Sequence, residues 1–181
     1  YEIRPRDWSS DVCSSDLEVS VEPPAGVFLQ ASRRAEQVMR ESVAAWLAGA
    51  KKVADLFAGI GALTLGQAFR TTLYEGDKAA VAAVSKLGAV RRDLFRNPLL
   101  DADLRAFDGA VLDPPRAGAA AQCIELARSG LGRIVYASCD PVSFARDARL
   151  LQSGGYRLER LKPIDQFLWS GHVELIALFA K

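Results

Sequence analysis

The sequence predicts an α/β domain: a mostly parallel, seven-stranded sheet with helices on both faces and an antiparallel hairpin at its C-terminal end. Three observations predict it. Short apolar runs alternate with Ala- and Leu-rich segments of helical period from residue 52 to residue 152. The joints between them carry turn-forming residues, as in Gly59-Ile60-Gly61 and Pro114-Pro115. The last two apolar runs, 156–161 and 172–179, are separated by about ten residues without helical pattern, so they pair in opposite directions.

The elements follow in order. After Pro23-Pro24, residues 31–47 place Ala35, Val38, Met39, Ser42, Val43 and Trp46 near one face of a helix, and Gly49 stops it. A strand at 53–57, a helix at 62–69, a strand at 72–75, a helix at 78–87 and a strand at 90–93 come next. The strand 109–112, the helix 119–129, the strand 133–137 and the helix 142–152 continue the series. Residues 78–93 are few for a helix plus a strand, which points to a deletion on that side of the sheet.

Residues 1–17 stand apart. The stretch DWSSDVCSSDL has neither helical nor strand periodicity and resembles the conceptual translation of a sequencing-library adapter, so 1–17 is expected to be non-native or disordered and the gene to continue upstream. Residues 18–50 form a lead-in with one helix, and 51–181 form the main domain. Half the residues are hydrophobic, enough for a buried core. Lys+Arg 23 against Asp+Glu 22 leaves a net charge of +1, which excludes a global basic field and makes any nucleic-acid contact local. Cys13, Cys123 and Cys139 are too few and too scattered for a disulfide framework, a zinc site or an iron–sulfur cluster. A reducing cytoplasmic setting without a bound metal is expected. No apolar run approaches the roughly 18–20 residues that span a bilayer, so no membrane association is expected.

DLFAGIG, Asp55 to Gly61, ends one strand in a glycine turn, and Glu75 closes the next strand about twenty residues later, the spacing at which a carboxylate grips ribose hydroxyls. Thr64 replaces the third glycine of a dinucleotide fingerprint, and Asp55 would repel a pyrophosphate. S-adenosylmethionine, cationic and free of phosphate, is therefore favoured over NAD; a ligand-free turn is the alternative. Asp113-Pro114-Pro115-Arg116 follows the strand 109–112 at the edge where such sheets bind ligands, and the two prolines stiffen the loop. An aromatic residue after the prolines would suggest methylation of an exocyclic amine. Arg116 stands there instead and argues for a different chemistry.

YASCDP raises the question of whether Cys139 is buried filler or a nucleophile. It lies just past a parallel strand, on the edge shared with Asp55, Gly59 and Asp113, and the helix that follows aims its N-terminus nearby, which favours thiolate. Because the final strand runs the other way, its beginning, His172-Val173-Glu174, reaches the same edge. A thiolate adding to uracil C6 makes C5 nucleophilic toward a methyl donor, and a carboxylate then removes the C5 proton. Cys139 suits the first role and Glu174 the second.

In order, FLQAS, DLFAGIGALTL, LYEGD, LDPPRAG, YASCDP and HVE resemble the motifs of the RNA 5-methyluridine methyltransferase family, from about Val27 to the C-terminus. The resemblance implies a class I methyltransferase, Rossmann-like fold, with 51–181 as the catalytic domain. It implies methylation of uridine C5 in rRNA or tRNA, with S-adenosyl-L-methionine as cofactor, RNA as partner and a covalent cysteine–C6 adduct, in a monomer. The implied cofactor contacts are Gln30, Phe57, Glu75 and Asp113, joined by Gly59, Gly61 and Ala62 of the turn. Cys139 is then the nucleophile, Glu174 the general base, and Pro114, Arg116 and His172 substrate contacts. Ser32, Ala62 and Asp140 stand where the family usually has Asn, and Asp140 would raise the thiol pKa if it pointed inward. The family's N-terminal RNA-binding and central domains are absent, as are the iron–sulfur cysteines of some members, so a catalytic fragment is expected. Methylation of another nucleobase position and an inactive cofactor- or RNA-binding fragment are the rival functions. Cys123 reads as packing; Arg91, Arg92, Arg96 and Arg105 read as an RNA path or as solvated surface; Phe167 and Trp169 read as base-stacking or core-closing rings.

Overall fold

The structure is a computed structural model that describes residues 21–27, 30, 32–166 and 173–181. Residues 1–17 and the candidates Phe167, Trp169 and His172 lie outside the described residues. Helix α1 (Arg33–Trp46) begins at Ser32, whose hydroxyl accepts from the Ala35 amide at 3.0 Å. Serine thus supplies the cap that asparagine would supply equally well.

Seven strands form one sheet: β1 (Lys52–Leu56), β2 (Arg70–Glu75), β3 (Val90–Arg91), β4 (Gly109–Leu112), β5 (Arg133–Ser138), β6 (Arg157–Ile164) and β7 (Glu174–Ala180), in the order β3-β2-β1-β4-β5-β7-β6. The first five are parallel, and β7 runs antiparallel to both β5 and β6, as expected from sequence. The strand order reverses between β1 and β4, and the crevice beyond the strand ends at such a reversal is where open α/β sheets bind ligands.

Strand alternation divides the core. Ala54, Leu56, Leu112, Tyr136 and Phe179 pack with Cys123 and Leu126 of α4 (Ala120–Ser129) and with Phe144 and Leu151 of α5 (Pro141–Ser153). Val53, Val111, Val135, Ala137, Ile176 and Leu178 pack with Met39, Val43 and Trp46 of α1 on the opposite face. The lead-in helix therefore shares a core with the strands.

The helix expected at 62–69 is replaced by turns and bends. Gly66 takes φ 76°, a left-handed conformation that stops helix propagation. The Arg40 guanidinium of α1 donates to the carbonyls of Ala62 and Leu65, the acceptors that a continuing helix would have used. Tertiary contacts win over local propensity here. The region 78–93 is as short as the sequence suggested: α2 (Lys78–Ala83) gives way to a 3-10 turn, Ser85–Leu87, and β3 has only two residues. A further short helix, α3 (Asp101–Leu104), has no counterpart in the sequence reading.

Candidate active site

The topology brings together four of the residues singled out by sequence. Asp55 is the penultimate residue of β1 in the parallel set, Asp113 and Cys139 follow β4 and β5 directly, and β7 starts at the same edge with Glu174. Ser138 pairs with Leu175, so one further step of the ladder sets Cys139 opposite Glu174. Alternation supplies the direction. Asp55 is two residues after Val53, Asp113 two after Val111, Cys139 two after Ala137 and Glu174 two before Ile176, all of which face α1.

The glycine turn lies beside them. Phe57 takes φ 61° and ends β1, and its ring tilts against Phe95 with centroids 5.1 Å apart. A left-handed non-glycine residue costs on the order of 1–3 kcal/mol and is characteristic of functional sites. Gly61 takes φ 81°, and a Cβ there would lie 2.7 Å from the Leu65 side chain, so glycine is required. Around Gly59 nothing lies within 4 Å of where a Cβ would be, so the turn is open on that side. The Gly59 amide donates to Glu75 Oε2 at 2.8 Å, and Asp77 N donates to Glu75 Oε1 at 2.8 Å. Glu75 therefore organises the turn it was expected to serve.

Burial governs the electrostatics. Desolvation pushes Asp55 up to about 7, opposed by a hydrogen bond from Thr64 Oγ1 at 2.6 Å and assisted by the charges of Asp113 and Glu75. Asp113 is likewise pushed up to about 7 by burial and then by Glu174, against a hydrogen bond from Gln30 Nε2 at 3.2 Å. Burial raises Glu174 too, opposed by Gln166. An unfolded Asp ionises near pH 3.9. From there to about 7 the native chain holds protons that the unfolded chain has lost, so the stability these two groups contribute is complete at low pH and is lost as pH rises through about 7. Asp113→Asn cannot ionise and is expected to raise Tm by several degrees at pH 8, by less at pH 5 and little at pH 3.5, as thermal melts at the three pH values would measure; an equal change at all three would refute this.

The Cys139 thiol differs from expectation. Its pKa is raised, by burial first and then by Glu174 and Asp113, with Arg116 acting in the opposite sense. Asp140 does not point at the sulfur. It caps α5, accepting from Ser143 N at 2.7 Å, and that bond holds its carboxyl below the usual range. Pro114 is buried, whereas Arg116 is exposed.

One feature of this edge had no sequence signal. Gln166 Nε2 donates to Glu174 Oε2 at 2.9 Å and to Gln30 Oε1 at 3.1 Å, and Gln30 in turn donates to Asp113. A hydrogen-bonded series thus runs from Asp113 to Glu174.

Comparison with known proteins shows the family. The model of the tRNA (uracil-5-)-methyltransferase family matches residues 78–181, which include Asp113, Cys139 and Glu174. The chain belongs to this family. An uncharacterized RNA methyltransferase of Rhizobium meliloti (strain 1021) is 49% identical over 175 residues, 90% of this chain and 42% of that protein. The 23S rRNA (uracil(1939)-C(5))-methyltransferase RlmD of Chromohalobacter salexigens is 36% identical, over 92% of this chain and 37% of its own length. The chain therefore spans about two fifths of the length of the curated relatives it matches. In fold it resembles the tRNA (uracil-54, C5)-methyltransferase of Pyrococcus abyssi, solved in complex with S-adenosyl-L-homocysteine, with TM-score 0.74 and 24% identity over 86% of this chain and 40% of that one. The fold is that of the class I S-adenosylmethionine-dependent methyltransferases.

Within this family member a second buried assembly supports the loop 113–119. Asp147 of α5 is fully buried; its Oδ2 accepts from Tyr136 Oη and from Ala119 N, each at 2.6 Å. Arg146 Nε donates to Asp147 Oδ1 at 2.8 Å, and its Nη2 donates to Ala117 O at 2.8 Å. Asp147 sits on the apolar stripe Phe144, Ala148, Leu151, and an acid on such a stripe is a signal that sequence reading could have used. Cys123 is buried packing, as expected. Arg92 donates to Asn97 O and Pro98 O, and Arg105 and Arg96 pair with Asp101 and Asp93, so these three have local structural partners.

Proposed function

We propose that the protein is an S-adenosylmethionine-dependent RNA methyltransferase that methylates C5 of uridine in ribosomal or transfer RNA. The observation that carries this reading is the β5–β7 register, which ends with Ser138 opposite Leu175 and, continued by one residue, brings Cys139 opposite Glu174. Uracil C5 is a poor nucleophile. Addition of the Cys139 thiolate to C6 forms an S–C6 bond and moves an electron pair toward C5, which would then take the methyl group as the sulfonium S–CH3 bond breaks and the neutral thioether leaves. Glu174 takes the C5 proton, the C5–C6 double bond re-forms, and the S–C6 bond breaks to return the thiolate.

The cofactor supplies a methyl group on a sulfonium cation, and the residues present fit it. Asp55 and Asp113 are acids whose ionisation burial suppresses and a neighbouring cation would restore. Glu75 keeps acceptor capacity beyond its two amide partners, and the space over Gly59 is open. Gln30, Phe57, Gly61 and Ala62 complete the proposed cofactor contacts. Pro114 and Arg116 are proposed on the substrate side, with His172 added from its place two residues before Glu174. A uridine inside a stem would be extruded to reach the thiol. Family membership supports the reading, as do relatives whose names state uracil-C5 methylation of 23S rRNA and of tRNA.

The test is covalent trapping. Fluorine at C5 cannot leave as a proton, so RNA containing 5-fluorouridine, incubated with the chain and S-adenosylmethionine, is expected to yield a denaturation-resistant complex mapping to Cys139. Methyl transfer to ordinary RNA without any such complex would overturn the mechanism.

A further inference from the structure

We propose that Gln166 is a positioning residue that fixes the orientation and charge state of Glu174 for proton removal; this rests on the methyltransferase reading above. Ile164 pairs with Glu174 at the end of the β6–β7 ladder, and Gln166 is two residues further on, so the backbone delivers its side chain to that carboxylate. An amide has two N–H donors, and Gln166 spends both: one on Glu174 Oε2, the other on Gln30 Oε1. Its own Oε1 is buried without a partner among the described residues. Turning the amide over would aim that oxygen at the carboxylate of Glu174, acceptor against acceptor, so the unsatisfied oxygen is accepted in exchange for a donor on Glu174.

The series has a direction. Gln30 Nε2 donates to Asp113 and Gln166 Nε2 donates to Glu174, so each amide sends its protons toward an acid and both acids are held as acceptors. The described titratable groups facing Glu174 are the Cys139 thiol after β5 and the Asp113 carboxyl after β4, and a negative charge on either disfavours ionisation of Glu174. Arg116 acts on Cys139. Burial works in the same direction as the acids, and Gln166 works against it. Without Gln166, Glu174 would hold its proton to higher pH and could not accept one from C5 over that range.

The experiment reads Glu174 directly. The full chain is labelled with [5-13C]glutamate, the Glu174 carboxyl resonance is identified by its loss in Glu174→Gln, and it is titrated from pH 4 to 9 in the parent, in Gln166→Met, which keeps the volume without the donors, and in Gln166→Glu, which replaces them with a second acid. The expected result is a midpoint raised by about one unit in Gln166→Met and by more in Gln166→Glu. In methyl-transfer assays the acid limb of kcat/KM moves up with it, so the variant loses about tenfold below the limb and recovers at high pH. A merely structural role would lower the rate equally at all pH values with the midpoint unmoved, and that outcome overturns the proposal. A shifted midpoint in a parent that transfers no methyl group would sustain this inference and sink the proposed function instead.

Discussion

Cys139→Ala is expected to reduce methyl transfer by about 10⁴-fold or more, roughly 5 kcal/mol of transition-state stabilisation, because among the described residues no other thiol stands at this edge to add to C6. Cys139 is the one described cysteine with access to the site, since Cys123 is fully buried under α4. Cys123→Ala should therefore leave methyl transfer intact. Binding of S-adenosylmethionine, followed by calorimetry, should survive Cys139→Ala, which separates lost chemistry from lost structure. The direction of the thiol shift adds a pH signature. Burial, Glu174 and Asp113 hold the Cys139 thiol protonated, so the parent rate should climb with pH as thiolate forms. Transfer by Cys139→Ala within about tenfold of the parent would mean that the methyl group reaches its target without a thiol adduct.

Asp147→Ala is expected to destabilise the fold strongly, by about 3–5 kcal/mol, because it strips two buried donors, Tyr136 Oη and the Ala119 amide, of their acceptor. Tyr136 Oη and the Ala119 amide each lose a 2.6 Å hydrogen bond where water does not reach. In a chain of this size that corresponds to a fall in Tm on the order of 10 °C. Asp147→Asn keeps one acceptor oxygen and should cost about 1–2 kcal/mol. Chemical denaturation of both variants would measure the difference; a loss below about 1 kcal/mol for Asp147→Ala would show that the assembly is not what holds the loop to α5. The loop carries Asp113 and Arg116, so a partly folded Asp147 variant should also bind cofactor and RNA more weakly.

Much of this was legible because strands announce themselves by period and because a reversed last strand has one geometric consequence. The apolar alternation of residues 133–137 and 172–179 was enough to bring Glu174 to Cys139, and the ladder register agrees. What escaped depends on contacts that no local pattern encodes. The helix expected at 62–69 was undone by Arg40, a residue more than twenty positions away that takes its carbonyls. The thiol was expected to gain from the start of α5, but burial raises it first and two acids delivered from other strands add to that. Asp140 turned away because a helix cap offered it backbone donors. Gln166 carries no signature of its own, since a glutamine in a connecting segment gains meaning only from what it touches.

The hairpin that ends the sheet separates two kinds of change to the gene. Residues added to the connection between β6 and β7 leave the pairing of β7 with β5 as it is. A single residue inserted within β7 would instead turn every side chain on one side of it to the other face, carrying Glu174 away from Cys139 and Ile176 from the core under α1 into the core on the opposite face. The two kinds of insertion therefore differ sharply in their expected effect.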